Sequence, residues 1–516
     1  MKYNIFIILF SLLFVACDDF FDKNPDSSLE VKIDSEEKIA ELLTAAYPKA
    51  SYSSFLEPRT DNAGERVKGE HNRLNEAMYF WEDYDQEDLD TPLNYWNSCY
   101  AGIAQANIAL ELLADYPKTD RVKALYGEAF LLRAYLHFML VNIWSEPYGT
   151  HKSDVAMGIP YLTRPEKHAL VEYDRGTVKE VYDKIEQDLK RGITLVDDRF
   201  YANPKFHFNK KAAYAFASRF YLMKGEWNMV IQYADYVLGG NPKKMLRAWY
   251  QYVRDDEKRA NFTTLYNAVE QPSNLMFTTT ESRIKRNFTR EKFGTTMDVT
   301  KKVFDQRLIE GCSESPKNIS QVFPFSRTTG AITNGWYLAK YDELDFSEGA
   351  EAMRPRNLFV TNVLFTVDEV MLNRMEAYAM IHDYDRCIDN MLDFMKAKYD
   401  VEPVCPRSAY TWTSSDNYAI YTPFYGMTLK QLALVKTITE FRQREFLHEG
   451  LRWFDIRRFY LPVKRDSKSP WYRPLVKEDE RKLLQIPAEA INRGLKPNPR
   501  SSDDAGLPID PFRPHD

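Results

Sequence analysis

The stretch TITEFRQREFLHEGLRWFDIRRF, residues 437–459, decides the fold of this chain of 516 residues. It mixes large apolar side chains with arginines and glutamates three to five positions apart, a spacing suited to ion pairs on a helix. Gly450 is expected to end that helix, because glycine takes a left-handed backbone without strain. The apolar and charged residues after Gly450 predict a short segment that lies across other helices and ties them together.

The pattern R-x-x-E-x-x-x-E-G-x-R-W-F-D-I-R-R within this stretch resembles the signature of the SusD/RagB family, the surface nutrient-binding lipoproteins of Bacteroidetes-type outer membranes. The tail LLQIPAEAINRGLKPNPR, residues 483–500, resembles the closing element of that family. The resemblance implies a mostly α-helical, SusD-like fold of interrupted tetratricopeptide-type helical hairpins, with a loop-rich ligand-binding insertion and little β structure. The structural signature residues are Arg442, Glu445, Glu449, Arg452, Trp453, Asp455 and Arg457.

Two glutamates of the signature, Glu445 and Glu449, also have the chemistry of a glycosidase acid/base pair. We expect nearby arginines to keep both carboxylates ionised, which would leave neither able to act as the acid. A structural ion-pair network is the favoured interpretation. The sequence has no G-x-S-x-G, H-E-x-x-H or phosphate-binding loop, so we predict no catalytic residue and no enzyme activity.

Helical periodicity elsewhere agrees with this architecture. Residues 95–114 and 125–144 predict an antiparallel pair of helices. Residues 208–238 have the spacing of a tetratricopeptide helix-turn-helix, and a second such hairpin is predicted at residues 369–395, more than a hundred residues later. We therefore predict a single helical body over residues 35–516.

The amino terminus has the pattern of an export signal. An apolar run over residues 5–15 follows a positive start and is too short to span a bilayer, and Ala16 precedes Cys17. The FVAC sequence resembles a lipoprotein processing site, so residues 1–16 are predicted to be the signal peptide and Cys17 the lipidated first residue; an ordinary secretory signal is the alternative. Residues 17–34 would form a lipid tether. The family resemblance implies that this tether holds the protein to the outer membrane with the protein facing the cell exterior.

Composition excludes one class of partner and favours another. The net charge is −6, the isoelectric point is near 5.9 and there is no dense basic block, so nucleic-acid binding is not indicated. Aromatic residues make up 14% of the chain, with 33 Tyr and 9 Trp, which suits a surface that stacks on sugar rings. Core packing is the simpler explanation for most of these aromatic residues.

No metal site or cofactor is predicted. The acidic run at Asp83, Asp85, Asp88 and Asp90 lacks the turn glycine and distal glutamate of an EF-hand loop, so solvated charge is favoured over calcium. The cysteines after the signal have no zinc-like spacing, and either two disulfides or isolated buried thiols are open, the thiols being favoured. These cysteines are Cys99, Cys312, Cys387 and Cys405.

Three stretches with weak helical pattern are candidates for ligand-binding loops: residues 51–94, 239–366 and 405–428. Sugar binding needs flat aromatic faces beside amide, carboxylate or guanidinium groups, and these stretches contain both kinds of side chain. Packing beneath a loop is as good an explanation for each residue alone. The predicted ligand-binding residues are Asp61, Trp81, Tyr84, Trp336, Tyr337 and Trp412.

The family resemblance implies a function as well as a fold. It predicts a surface protein that captures a nutrient, usually an oligosaccharide, and delivers it to a TonB-dependent, SusC-like transporter. Capture of peptides, as in RagB-like proteins, is the main alternative. A surface hydrolase and a scaffold that binds only proteins are less favoured.

Overall fold

The computed structural model describes residues 33–149, 153–166, 172–327, 335–344, 358–470 and 472–500. The predicted signal peptide, the predicted lipid attachment at Cys17 and all but the end of the tether lie outside these residues. The described residues form mostly α-helix with little strand, which confirms the predicted fold class.

Helices form the framework, and most begin after a Ser, Thr, Asp or Asn whose side-chain oxygen accepts a hydrogen bond from an N–H of the first turn. The main helices are α1 (Glu36–Ala45), α2 (Pro92–Leu112), α3 (Asp120–Trp144), α4 (Val178–Leu195), α5 (Lys210–Lys224), α6 (Trp227–Leu238), α7 (Met297–Phe304), α8 (Val367–Met380), α9 (Tyr384–Tyr399), α10 (Leu429–Glu445) and α11 (Arg452–Arg458). Shorter helices are Ser53–Leu56, Arg73–Tyr79, Trp249–Arg254, Asp256–Ala260, Phe262–Tyr266, Ile284–Arg290, Arg407–Tyr410, Asn417–Ile420 and Ala488–Asn492.

Successive helices pack against one another through a continuous apolar core. Helix α2 packs on α1 and α3, and α3 packs on α4. In a second group, α5, α6 and α8 pack on one another, and α8 also contacts α9 and α10. Helix α3 is long and apolar enough to cross a membrane, but 89% of its most apolar window is buried, as in a core helix of a globular protein.

The two predicted tetratricopeptide-type hairpins are present. Helices α5 and α6 form the first, and Gly225 at the turn between them has φ +75°, a left-handed conformation that a residue with a side chain adopts only with strain. Helices α8 and α9 form the second, with the turn at Ile381–Asp383. Small residues such as Ala217 and Ala234 are fully buried where the first pair cross, which lets the backbones approach closely.

Three short antiparallel pairs of strands lie within or beside the insertion that separates the hairpins. Strand β2 (Asn274–Glu281) pairs with β6 (Phe359–Thr366), which leads directly into α8. The other pairs are β1 (Gly64–Glu65) with β3 (Phe293–Gly294), and β4 (Phe325–Arg327) with β5 (Trp336–Leu338). The described part of the insertion therefore contains more regular structure than its weak helical pattern predicts.

The first predicted ligand loop, residues 51–94, differs most from expectation. Nearly all of residues 51–63 are buried, and Arg73–Tyr79 forms a helix that packs on the core. Two parts stay at the surface, residues 67–71 and the acidic part, residues 82–89. This stretch alternates apolar and polar residues without a helical period, so the sequence predicts a loop. Its apolar residues nevertheless fill space between α1, α2 and the carboxyl-terminal part of the chain.

A disulfide joins Cys312 to Cys405, whose Cα atoms lie 5.8 Å apart although 93 positions separate them in the chain. The preference for isolated thiols is therefore wrong for this pair. It is correct for Cys99 and Cys387, which are free and buried. Sequence spacing carried no sign of the bond, because the two cysteines meet only after the insertion and the late loop have packed together.

We expect thiol labelling of the unfolded, unreduced chain that begins after Cys17 to modify Cys99 and Cys387 and to leave Cys312 and Cys405 unmodified. Replacing both bonded cysteines by serine should lower the free energy of unfolding by about 2–5 kcal/mol, because the bond restricts a long loop in the unfolded chain. A reducing agent should destabilise the unsubstituted protein and leave the double variant unchanged. Labelling of all four cysteines without a reductant would contradict the assignment.

Candidate functional site

The signature residues on α10 and α11 form a buried ion-pair network centred on Asp455. The Asp455 carboxylate accepts hydrogen bonds from Nε of Arg442, at 3.1 Å, and from Nε of Arg458, at 2.9 Å. Arg458 continues to the fully buried Glu376 on α8. Burial raises the pKa of Asp455, but the arginines outweigh this and hold it below the usual value. The network joins α8, α10 and α11.

The partners of Glu445 and Glu449 are lysines, so the expectation of arginine partners is wrong. Glu445 accepts a hydrogen bond from Nζ of Lys398 at 2.9 Å, and Glu449 is paired with Lys340. Burial raises the pKa of Glu445, which Lys398 opposes. Both carboxylates are occupied by these contacts, which agrees with a structural role. The lysines come from distant parts of the chain that the signature does not include.

The turn before α11 is fastened to the segment that carries Asp61. The Glu57 carboxylate accepts hydrogen bonds from the backbone N–H groups of His448, at 2.8 Å, and Gly450, at 2.9 Å. Burial raises the pKa of Glu57 to about 7, which these hydrogen bonds oppose. Gly450 has φ +71° as expected, but α10 already ends at Glu445. This link fixes Asp61 relative to Arg452, the first residue of α11.

Asp61 and Arg452 form a two-point ion pair. Nε of Arg452 donates to one carboxylate oxygen at 2.9 Å and Nη2 donates to the other at 2.8 Å. Burial raises the pKa of Asp61, but Arg452 lowers it further, with Lys302 of α7 contributing in the same direction. The Asp61 side chain is partly exposed, and Nη1 of Arg452 has no partner among the described residues. The partly exposed Asp61 carboxylate can therefore accept a hydrogen bond from a ligand hydroxyl, and the buried Arg452 holds it in position.

Polar contacts lead from this pair toward the late loop. Tyr421 lies beside Arg452, and burial raises its pKa to about 12. Lys436 contacts Glu310 at 3.2 Å, and the same carboxylate accepts a hydrogen bond from Thr413 at 2.9 Å. Thr413 is the neighbour of Trp412 in the chain. Charged and hydroxyl groups thus continue from Asp61 to the exposed indole.

Trp412 has the most exposed aromatic ring of the predicted residues, with 54% of its surface accessible. Its Cβ lies against Gly311, where a side chain on the glycine would stand 3.0 Å from it. Tyr418 and Ile420 of the same loop are also exposed. Exposed aromatic and apolar surface next to charged groups is the combination that binds the face and hydroxyls of a sugar ring.

Trp336 is linked by Thr295 to Asn62, the neighbour of Asp61 in the chain. Its backbone N–H donates to the carbonyl oxygen of Thr295 at 3.0 Å, and the Thr295 hydroxyl donates to the carbonyl of Asn62 at 3.2 Å. The Trp336 ring is partly exposed and packs on Phe325. We call the surface defined by Asp61, Lys302, Trp336, Trp412 and Arg452 the Asp61–Trp412 face.

The other predicted ligand residues lie elsewhere. Trp81 is 2% exposed, and its Nε1 donates to the backbone carbonyl of Arg59 at 2.8 Å, so its ring supports the core. Tyr337 is buried against His448, with ring centroids 5.4 Å apart. Tyr84 is half-buried in the acidic segment. Contacts thus connect Asp61 with Trp336 through Thr295 and lead from Asp61 toward Trp412, whereas Trp81, Tyr84 and Tyr337 have no part in these contacts.

The structure adds residues to the face that the sequence did not single out as ligand contacts. Arg452 is predicted only as a structural residue, yet it forms the donor half of the pair with Asp61. Lys302 lies in no recognisable motif. Tyr418 lies in a loop rich in aromatic residues, and nothing else in the sequence distinguishes it. The position of the arginine in the signature, two residues after Gly450, is the one available signal for Arg452.

Metal-binding geometry is not found in the part of the chain that the structure describes, where no three His, Cys, Asp or Glu side chains converge. The carboxylates of the acidic segment instead bind separate partners. Asp83 pairs with Arg500 at 2.8 Å, and Asp90 accepts a hydrogen bond from Ser282 at 2.5 Å. Asp85 accepts a hydrogen bond from the backbone N–H of Ala488 at 2.9 Å.

Comparison with known families agrees with this architecture. A family model described as "Starch-binding associating with outer membrane", the SusD-like_3 family, matches residues 19–222. No curated protein matches the sequence. The family model therefore covers the amino-terminal part of the chain, including α1 to α4.

Solved structures extend the likeness over the rest of the chain. A SusD superfamily protein from Bacteroides thetaiotaomicron has a TM-score of 0.66 and 16% identity, and the match covers 90% of this chain and 100% of that one. A putative sugar binding protein from Bacteroides vulgatus has a TM-score of 0.65 and 17% identity, with 91% and 99% covered. A SusD-like carbohydrate binding protein from the same species has a TM-score of 0.64 and 16% identity, with 91% and 99% covered.

Helical hairpins interrupted by an insertion, with the signature network at their junction, define a SusD-like helical fold. The family model supports the resemblance to the SusD/RagB family over residues 19–222, and the solved structures show the same fold over the rest of the chain.

Proposed function

We propose that this protein is a cell-surface binding protein that captures an oligosaccharide at the Asp61–Trp412 face and delivers it to a TonB-dependent, SusC-like transporter. A lipid on Cys17 would hold it to the outer membrane with the helical body facing the exterior. The protein acts by binding alone and releases its ligand unchanged.

The observation that carries this proposal is the exposed Trp412 ring, which polar contacts through Glu310 and Lys436 connect with the Asp61–Arg452 pair. A sugar presents an apolar ring face and a rim of hydroxyls, which need an aromatic plane and groups that donate and accept hydrogen bonds. Trp336 supplies a second, partly exposed ring near the same pair. Relatives described as sugar or carbohydrate binding, and the outer-membrane description of the matching family, support the same role.

Two features oppose the enzyme alternative. Glu445 and Glu449 are engaged by Lys398 and Lys340, so neither is free to act on a substrate. The accessible carboxylate of the proposed face, Asp61, is held below its usual pKa and cannot serve as a general acid near neutral pH. These groups bind hydroxyls and do not supply a proton.

We expect the soluble chain that begins after Cys17 to bind one class of neutral oligosaccharide, measured by titration calorimetry against a panel of glycans and peptides. Trp412→Ala should weaken that binding about tenfold or more, because the stacking ring is lost. Tyr236→Ala is the matched control, since Tyr236 is as exposed but lies on α6 away from the face. The ligand should be recovered intact afterwards.

Other outcomes of the same experiment separate the alternatives. Binding to peptides alone would change the ligand class and retain uptake as the role. Cleavage of a bound glycan would favour a hydrolase, and the absence of any small-ligand binding would favour a scaffold. Delivery is tested separately by co-purification of the lipidated protein with an outer-membrane transporter, and loss of that association would refute the partner.

A further inference from the structure

A concave site lies beside the carboxyl end of α11. It is a cleft of about 510 Å³, within the range of roughly 300–1,000 Å³ typical of small-molecule pockets. Its lining includes three cationic side chains, Arg457, Lys477 and Lys482, two aromatic ones, Phe424 and Tyr460, and four carboxylates. None of the residues that define the Asp61–Trp412 face lines this cleft.

Arg457 is buried without a carboxylate partner. Only 3% of its surface is accessible, and Nη2 donates to the backbone carbonyl of Ser145. Nε has no partner in the described part of the chain, where no acidic group lies within ion-pair distance of this guanidinium. Burial lowers its pKa to about 10. The other arginines of the signature helix, Arg452 and Arg458, both have carboxylate partners, which makes this one exceptional.

Lys482, in the carboxyl-terminal segment, is likewise a buried cation without a carboxylate partner among the described residues. It is 4% exposed, and its Nζ donates to the backbone carbonyl of Lys477 at 2.6 Å. Burial lowers its pKa to about 7, and Arg457 contributes in the same direction. Asp479 raises it, but that carboxylate is already held by Arg481 at 2.7 Å. The described residues thus provide no ion-pair partner for this ammonium group.

Two buried cations that repel each other and share a cleft cost folding free energy, because buried charges normally have a partner of opposite charge. Each also keeps donors that no described residue uses. A bound anion would satisfy those donors and offset the cost. Cationic side chains with lowered pKa values in a concave site are therefore better explained by a bound ligand than by packing.

We propose that the cleft between Arg457 and Lys482 binds the carboxylate of a small polar ligand. The guanidinium and the ammonium group donate to its oxygens, and the rings of Phe424 and Tyr460 contact the body of the ligand. Glu146, Glu478, Asp479 and Glu480 also line the cleft, and their negative charge disfavours a doubly charged anion such as phosphate. A sugar acid and the carboxyl end of a peptide both supply the required group. This site does not depend on the Asp61–Trp412 face.

Calorimetry with paired ligands tests the chemistry directly. We expect an oligosaccharide of glucuronic or galacturonic acid, or a short peptide with a free carboxyl end, to bind at least about tenfold more tightly than its neutral or amidated counterpart. The sugar and peptide pairs distinguish the two sources of the carboxylate. Equal binding of the charged and neutral members, tighter binding of inorganic phosphate, or no binding at all would overturn the proposal.

Lys482→Met provides the second test, with Lys464→Met as a control that removes a charge from an exposed lysine. We expect Lys482→Met to weaken carboxylate binding about tenfold or more and the control to leave it unchanged. Unchanged affinity in Lys482→Met would refute the site. Trp412→Ala should not affect carboxylate binding in this cleft, so failure of this proposal and failure of the glycan-binding face give different results.

Stability of the same variant shows whether the lysine is kept for a ligand. With a folded pKa of about 7 against about 10.4 unfolded, Lys482 makes the ligand-free protein less stable as pH falls from 10 to 7. The groups that set this pKa are Arg457, Asp479, Glu146 and Glu478. Lys482→Met should therefore raise the denaturation midpoint without ligand, more at pH 6.5 than at pH 9.5. A lower midpoint at pH 6.5 would indicate a structural role.

Discussion

Asp455→Asn should lower the free energy of unfolding by about 3–5 kcal/mol, measured by urea denaturation near pH 7. The carboxylate is buried between Arg442 and Arg458, so removing its charge leaves two guanidinium groups with less compensation in the core. The asparagine has nearly the same shape, so the loss reports on charge and not on a cavity. The effect should be large because the network joins α8, α10 and α11.

The control for that variant is Asp385→Asn, which removes an exposed partner of Arg407. It should cost less than about 1 kcal/mol, because solvent screens exposed pairs. Asp455 has a lowered pKa, so its contribution is present above the unfolded value of about 4 and disappears as pH falls through the lower folded value. The difference between the wild type and Asp455→Asn should hence stay constant from pH 5 to 8. A loss equal to that of the control would contradict the network.

Lys398→Met should also destabilise the protein by about 3–5 kcal/mol at pH 8. Lys398 is fully buried between two carboxylates, Asp368 and Glu445, and is the cation that they share. Without it, two negative charges remain close together in the core, and the pKa values of both carboxyl groups rise. Binding a proton relieves the repulsion, so the variant should lose less stability at pH 5 than at pH 8.

The sign of this pH dependence is the discriminating feature. Carboxyl groups with pKa values raised in the folded state favour folding below the unfolded pKa, and that benefit is lost as pH rises through the folded pKa. Lys396→Met is the matched control on the same helix, because Lys396 pairs with Asp400 and Glu402 in solvent. A loss in Lys398→Met that is the same at pH 5 and 8 would refute the shared-cation arrangement.

Local patterns in the sequence predict the helices well. The apolar period and the polar residue before each helix lie close together in the chain, so α2, α3, α5 and α6 follow within a few residues of expectation. The helices α2 and α3 begin earlier than expected because Thr91 and Thr119 supply the caps. Periodicity alone cannot locate a cap that lies before the first apolar residue.

Contacts between distant parts of the chain were not predictable in the same way. Asp61 and its partner Arg452 are 391 positions apart, and Lys340 is 109 positions from Glu449. Trp81 and Trp412 both lie in polar, aromatic stretches of similar composition, yet one is buried and the other exposed. Burial depends on which segments pack over a loop, and a single sequence contains no direct record of that.

The disulfide between Cys312 and Cys405 restricts the segments that support Trp412 on the Asp61–Trp412 face. One cysteine adjoins Gly311, the residue on which Trp412 packs, and the other lies seven positions before that tryptophan. The bond ties both supports of the ring to each other, so less conformational entropy is lost when a sugar docks. In an oxidising environment the bond would hold the indole in place before a ligand arrives.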